Sequence, residues 1–252
     1  MTERQTQFTG KAAAYTKGRP LYAQASLNFL KEQGVNEKAF VADIGAGTGI
    51  FSKQLAENGA TVYAVEPNED MRSTAKEYLK DIKNVHCIDG SAEETTLPDC
   101  NIDFVCAAQA FHWFDKDLFR KECLRVLRPE GKIVLIWNIE IFGNRFFQDY
   151  GEILNRLTTN GTPKTNEGNP YDIFFNQAED FLSEYERLEF DNTLYMNEET
   201  FLYKTLSSSA SPKENDANHE PLKRELKNLF ARYQENKTLV YPHKTVMYIG
   251  KI

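Results

Sequence analysis

The sequence predicts an α/β fold in which strands and helices alternate around a largely parallel sheet, and three observations carry that expectation. A short apolar run, Phe40, Val41 and Ala42 with Ile44, encloses the acidic Asp43 and gives way to glycines at alternate positions, Gly45, Gly47 and Gly49, before the helical pattern "TGIFSKQLAEN". The next apolar run, "TVYAVE", closes on Glu66, 21 positions after Gly45 and near the roughly 20 expected of a nucleoside-binding βαβ unit. Further strand-like runs, "IDFVCAA" and "KIVLIWN", are separated by a stretch with apolar residues at helical spacing.

The first unit reads as strand, glycine turn and helix. Glycine lets the chain turn sharply and lets a ligand approach the backbone, because no Cβ intervenes. The following helix offers unpaired N–H groups and a partial positive charge at its start. The Glu66 carboxylate is placed to accept hydrogen bonds from ribose hydroxyls. The spacing here is G-x-G-x-G rather than the dinucleotide pattern G-x-G-x-x-G, and Asp43 precedes it by two positions. A carboxylate at that strand end is poorly placed beside a pyrophosphate but suits a ligand's ammonium group, directly or through water.

The nonapeptide "VADIGAGTG" (residues 41–49) resembles the first motif of the class I S-adenosylmethionine-dependent methyltransferases, and "QAFHWF" (residues 109–114) is similar to wording found in their small-molecule, type 11 branch. The resemblance implies a Rossmann-like, doubly wound, seven-stranded sheet with an antiparallel last strand, helices on both faces and a helical cap. It implies S-adenosylmethionine as cofactor and S-adenosylhomocysteine as product. Carried over by motif position, Asp43, Gly45, Ala46, Gly47, Thr48 and Gly49 border the cofactor, Glu66 meets its ribose, and Pro67 and Met71 lie against its adenine. Many relatives have Asp-Ala where this chain has Ser91-Ala92, so the adenine amino group falls to Ser91, or to Asp89 or Glu93 from a shifted loop, with Ala92 reaching the ring. Of the N-terminal segment, the resemblance implies that Tyr15 and Tyr22 close the pocket and that Arg19 meets the cofactor carboxylate; an aromatic helix packed on the sheet edge is the plainer reading.

Taken in order, Pro20 suits the first turn of a helix carrying Leu21, Leu27 and Leu30 and stopping at Gly34. Asn68 is placed to cap a helix with an acidic first turn and a buried stripe of Met71, Ala75, Tyr78 and Leu79. "NVHCIDG" is a short third strand and "IDFVCAA" the fourth, which delivers Gln109 and His112 to the carboxyl end of the sheet, where ligands of open α/β sheets bind. A helix with Phe119, Cys123, Val126 and Leu127 follows, then a turn at "RPEG" and the fifth strand "KIVLIWN". Phe146, Phe147, Tyr150, Ile153, Leu154 and Leu157 predict an aromatic-rich helix, and "TTNGTPKTNEGNPYD" a long polar loop. "YERLEFDNTLY" reads as a sixth strand, residues 198–206 as a helix capped by Asn197, the stretch with Leu222, Leu226, Leu229, Phe230 and Tyr233 as another, and "KTVMYIGKI" as the last strand. "SSSASPKENDANHEP" between those helices reads as a surface loop. The expected organisation is one domain over 1–252: an N-terminal cap and first helix (1–38), a cofactor-binding core (39–138), a substrate-covering insertion (139–180) and the rest of the sheet (181–252).

With 252 residues, 41% of them hydrophobic and 27% charged, the chain has an ordinary globular composition. No apolar run approaches a membrane span, the polar start is not a signal peptide, and a cytoplasmic location is expected. The net charge of −7 argues against nucleic acid as partner. The cysteines show no metal-ligand spacing, so no metal is expected, and Cys87 and Cys106 read as small buried residues.

The expected reaction is methyl transfer to a small-molecule acceptor at oxygen or nitrogen, carboxylates included, by in-line displacement; a quinone-type ring carbon stays open. His112 is the candidate base or substrate-positioning residue, since a neutral imidazole accepts a proton near pH 7. The competing readings are an NAD-dependent oxidoreductase, and a protein that binds S-adenosylmethionine without turnover.

Overall fold

The computed structural model describes residues 19–158, 170–206, 208 and 210–252. Helix α1 (Gln24–Glu32) precedes β1 (Phe40–Ile44), α2 (Ile50–Glu57), β2 (Thr61–Val65), α3 (Glu69–Tyr78), β3 (Val85–Ile88) and β4 (Ile102–Ala108). A 3-10 turn at Phe111–Trp113 leads to α4 (Lys116–Val126) and β5 (Leu127–Glu140), followed by α5 (Arg145–Leu157), α6 (Asp172–Phe181) and β6 (Glu184–Asp191). The chain then forms β7 (Leu194–Met196), α7 (Glu198–Leu206), α8 (His219–Tyr233), β8 (Leu239–Tyr241) and β9 (His243–Lys251).

Seven strands form one sheet in the order β3-β2-β1-β4-β5-β9-β6. Strands β1 to β5 are mutually parallel, and β9 inserts antiparallel to both β5 and β6. The expected seven-stranded sheet with its antiparallel last strand is therefore the fold observed. The order reverses between β1 and β4, and the crevice beyond their carboxyl ends is where such a sheet receives a ligand.

Alternate residues of a strand point to opposite faces, so a sheet covered on both sides needs apolar residues at nearly every position. Along β5, Ile133, Leu135 and Trp137 enter one core with Phe119 and Cys123 of α4 and Phe175 and Phe181 of α6. Val134 and Ile136 enter the other with Leu27 and Leu30 of α1 and Phe51 and Leu55 of α2. A third core, sharing no residue with these two, unites Phe146, Phe147 and Tyr150 of α5 with Phe201 of α7, Leu226 and Phe230 of α8, and Tyr241 of β8. It is the helical cap, and packing accounts for most of the aromatics expected there.

Several local expectations are corrected. The first helix begins at Gln24, beyond Pro20, and Leu21 is exposed instead of lying on its buried stripe. Residues 128–131 do not form a separate turn: they belong to the start of β5, where the pairing jumps from Ile102 opposite Leu127 to Phe104 opposite Lys132. The bulge absorbs the extra residues without breaking the strand. The run taken as a sixth strand is two, because β7 leaves the main sheet and pairs antiparallel with β8, a strand too short to stand out in the sequence. Helix α6 begins at Asp172, the last residue of the expected long loop, and runs through a stretch for which the sequence predicts no element, and α8 starts at His219, within the end of the other expected loop. Cys106 is buried as expected, whereas Cys87 is half-buried. Among the described residues no helix is long and apolar enough to cross a membrane.

Candidate functional site

The glycine turn sits beyond β1 and adopts left-handed backbone at each of its three glycines, with φ of +69° at Gly45, +57° at Gly47 and +82° at Gly49. Each has a different reason for lacking a side chain. A Cβ on Gly45 would lie 2.8 Å from Cβ of Ala110 and 3.4 Å from the Phe114 ring, so this glycine docks the turn against the loop after β4. A Cβ on Gly49 would lie 2.6 Å from the Leu79 side chain, so here the constraint is packing against α3. A Cβ on Gly47 would meet nothing within 4 Å. At Gly47 the space above the backbone is open, as a closely approaching ligand requires.

Glu66 closes the other side of the turn. Its Oε2 accepts from the backbone N–H of Gly47 at 2.8 Å and its Oε1 from that of Asn68 at 2.8 Å. Each oxygen keeps a further lone pair with which to meet a ligand hydroxyl. Burial raises the Glu66 pKa, and those two N–H bonds and the Arg72 charge only partly offset it. Arg72, on α3, donates to the carbonyls of Glu66 and Pro67 and pairs with Asp89 at 3.1 Å, tying the ends of β2 and β3 together. Asn68 caps α3 by accepting from Met71 N–H, and Met71 is buried beside the turn's helix wall while Pro67 is half-buried.

Asp43 is fully buried. Its Oδ2 accepts a 2.5 Å bond from the Ser52 hydroxyl on α2, and its Oδ1 has no partner. Burial, reinforced by the neighbouring Glu66 charge and opposed by the Ser52 bond, pushes its carboxyl up to about 7. Thr48 Oγ1, two positions before α2, is likewise buried without a partner. Unpaired buried polar atoms are costly, and two of them at one turn mark where a polar ligand fits.

The third strand's loop folds on itself: Ser91 Oγ accepts from the N–H groups of Glu93 and Glu94, and Glu93 accepts from Asp115 N–H. Asp89 is held by Arg72, and Ala92 is buried. All three adenine candidates thus have partners within the chain.

On the other side of the crevice, Gln109 takes a left-handed φ of +57° and its side chain donates to the Asn138 carbonyl at 2.7 Å. His112 stacks on Phe174 of α6 at 4.4 Å with 22° between the rings, and touches Trp113 at 4.9 Å. Its Nδ1 is buried without a partner. Burial lowers its pKa to about 4, with the charges of Lys116 and Arg19 acting in the same direction. The expectation of an imidazole titrating near its ordinary value is therefore corrected: His112 is neutral at pH 7 and a weak base.

Asn138, two residues before the end of β5, donates to the carbonyls of Pro20 and Leu21 and accepts from Thr245 and Asn192. It pins residues 20–21 to the mouth and so brings Arg19 close enough for its charge to act on His112 and Tyr171. Tyr22 instead belongs to the packing of α1 on α2, with its ring 4.8 Å from Phe51 and its backbone bonded to Gln54. That corrects the expectation that Tyr22 closes the pocket. Tyr15 lies outside the described residues.

At the end of β5, Glu140 accepts from Lys204 at 3.0 Å, from Tyr241 at 3.0 Å and from the Tyr171 hydroxyl. Burial alone would raise its pKa, but the Lys204 charge and these hydrogen bonds outweigh it and hold the carboxyl at about 2. This hub joins β5 to α7, β8 and the start of α6, and so ties the cap to the end of the sheet.

Sequence reasoning missed Ser52, Arg72, Asn138, Phe174 and the Glu140 hub. Asn138 and Glu140 carried a signal, since each interrupts or ends an apolar strand run with a polar group. Ser52 and Phe174 carried none, because a serine in a helix and an aromatic just after a polar loop are ordinary.

Residues 42–135 match the model of a methyltransferase domain family. The chain is similar to an uncharacterized methyltransferase of Mycobacterium tuberculosis, 35% identical over 149 residues that cover 59% of each chain. It is also similar to an uncharacterized methyltransferase of Schizosaccharomyces pombe, 31% identical over 176 residues, 69% of this chain and 65% of that one. The chain thus spans somewhat less than two thirds of the curated relatives it matches. Among solved structures, a candidate type II methyltransferase of Anaeromyxobacter dehalogenans superposes with a TM-score of 0.68 at 24% identity, over 92% of this chain and 97% of that one. A phosphoethanolamine N-methyltransferase of Haemonchus contortus, solved with phosphomonomethylethanolamine and S-adenosylhomocysteine, superposes with a TM-score of 0.56 at 17% identity, over 100% of this chain and 61% of that one. These superpositions establish the fold.

Proposed function

We propose, from the match of residues 42–135 to a methyltransferase domain family, that this protein is an S-adenosylmethionine-dependent methyltransferase acting on a small molecule at oxygen or nitrogen, carboxylates included, by in-line displacement. The observation that carries the reading is the turn itself: an open face over Gly47, flanked by the unpartnered Asp43 Oδ1 on one side and the Glu66 carboxylate on the other. Asp43 is suited to a ligand ammonium and Glu66 to ribose hydroxyls, while Met71, Pro67 and the Ser91-Ala92 loop border the adenine end. Arg19 is the candidate for the cofactor carboxylate, and Gln109 is a further cofactor-binding candidate at the carboxyl end of the sheet.

When bound, S-adenosylmethionine supplies an already electrophilic methyl on its sulfonium. The chain's own task is to hold an acceptor in line with that methyl and to exclude water, and positioning of this kind accounts for roughly 7 to 11 kcal/mol of barrier. His112, stacked on Phe174 with a free Nδ1, orients the acceptor by a hydrogen bond. Its low basicity favours acceptors that bring their own lone pair, a carboxylate or a neutral amine, over a phenol that needs its proton removed. The cap of residues 139–180 covers the acceptor, the chain acts as one domain in the cytoplasm, and a metal or nucleic acid takes no part.

Incubation with methyl-labelled S-adenosylmethionine and panels of small acids, amines and phenols tests this. Label is expected in a methyl ester or a methylated amine, and tight binding without transfer to any panel member would favour a binding protein instead. His112→Asn should lower turnover roughly ten-fold or more, with cofactor affinity unchanged within two-fold. Turnover within a few-fold of wild type would remove His112 from the acceptor site.

A further inference from the structure

We infer that Asp43, held by Ser52, is a proton-linked receptor for the cofactor's ammonium group: the empty site keeps a proton on Asp43 and releases it when the cation arrives. The inference rests on the proposed cofactor and concerns how this chain recognises it.

Geometry carries the argument. Asp43 sits at the carboxyl end of β1, two positions before the glycine turn, with no exposed surface. Three elements pack against it. From α2, Ser52 donates to Oδ2. From the end of β2, the Glu66 carboxylate acts on it as a like charge, with both its oxygens already holding backbone N–H groups. From β4, Cys106 stands opposite Asp43 in register, a buried thiol that burial keeps protonated and the Asp43 charge keeps so further. No cation of the described residues is among the charges acting on Asp43. Two buried carboxylates without a cation cannot both stay ionised at little cost, and of the two Asp43 has the free oxygen and the single hydrogen bond. One proton on Asp43 relieves the site while it is empty, in line with its carboxyl standing at about 7. A ligand ammonium supplies the missing charge, the carboxylate ionises against it, and the proton passes to solvent.

Ser52 is the positioning residue. Its hydroxyl favours the ionised form and occupies Oδ2, which leaves Oδ1 for the ligand. Without it the proton is held more tightly and the same ligand must displace it at higher cost.

The test is isothermal titration calorimetry of the full chain with S-adenosylmethionine at pH 6, 7 and 8, each in two buffers of different ionisation enthalpy. The expected release is nearly one proton at pH 6, about half at pH 7 and about a tenth at pH 8, with the dissociation constant about ten-fold larger at pH 6 than at pH 8. Asp43→Asn should abolish the release, and Ser52→Ala should shift both profiles to higher pH, whereas a merely structural role for Ser52 would weaken binding equally at every pH. Binding with no proton release at pH 6 overturns the inference and leaves the cofactor assignment standing. Absence of binding at every pH removes that assignment instead, and carboxyl 13C NMR of the ligand-free protein, with Asp43→Asn to identify the signal, still decides the proton: titration near neutrality supports the inference, titration near 4 overturns it.

Discussion

Two carboxylates at the same edge of the sheet, the fully buried Asp43 near the end of β1 and the half-buried Glu140 at the end of β5, stand at opposite extremes. Asp43 has one hydroxyl, a free oxygen and a like charge beside it, and its carboxyl is raised to about 7. Glu140 has a lysine and two tyrosines, and its carboxyl is lowered to about 2. Burial pushes both upward, so partners decide the difference. The cap half of the mouth is electrostatically complete without a ligand, whereas the glycine-turn half is not. A closed ion cluster serves the fold, and an open one waits for a ligand.

The contrast breaks most sharply at Lys204. Lys204→Met leaves the half-buried Glu140 without its cation and should cost roughly 1.5 to 3 kcal/mol, read by chemical denaturation. Adding Glu140→Gln should recover a good part of that loss; if the single variant is as stable as wild type, the hub does not hold the cap. The sign with pH follows: the Glu140 contribution is present above its ordinary pKa and disappears as pH falls through about 2.

At the other carboxylate cluster the expected loss is in binding. Glu66→Ala removes the acceptor of the Gly47 and Asn68 N–H groups as well as that of the ribose. With charged hydrogen bonds worth roughly 1.5 to 3 kcal/mol each, cofactor affinity should fall at least ten-fold. Unchanged affinity in a titration would mean that the ribose lies elsewhere.

Smaller still in its effect on stability, Gly47→Ala adds a methyl to open space and bears only the left-handed backbone, about 1 to 2 kcal/mol. Its thermal midpoint should stay within several degrees of wild type while cofactor affinity drops. Gly49→Ala, which drives a methyl into Leu79, should instead lose more stability than affinity. If both variants lose stability and affinity alike, the face over Gly47 is not where a ligand approaches.

The same division describes what the sequence revealed. The glycine turn was legible because its chemistry is local: Asp43, Gly45, Gly47 and Gly49 lie within seven residues, and Glu66 is one βαβ unit away. The sheet was legible because both faces are covered, which makes β4 and β5 long apolar runs. The acceptor side was not, because its contacts join distant segments: Glu140 meets Lys204 across 64 positions and Tyr241 across 101, and His112 meets Phe174 from a stretch with no predicted element. Strands β7 and β8, three residues each, are fixed by pairing with one another and not by any pattern of their own. The low basicity of His112 was equally invisible, since it comes from burial and from charges on α4 and the N-terminal segment.

The most direct test of the cofactor site is calorimetric titration of the purified protein, freed of any co-purified ligand, with S-adenosylmethionine, S-adenosylhomocysteine and NAD. Micromolar binding of the first two, with none of the third, is the predicted result. Binding of NAD alone would contradict the account at its centre, because the unpartnered Asp43 oxygen and the open face over Gly47 would then belong to a site for a dinucleotide.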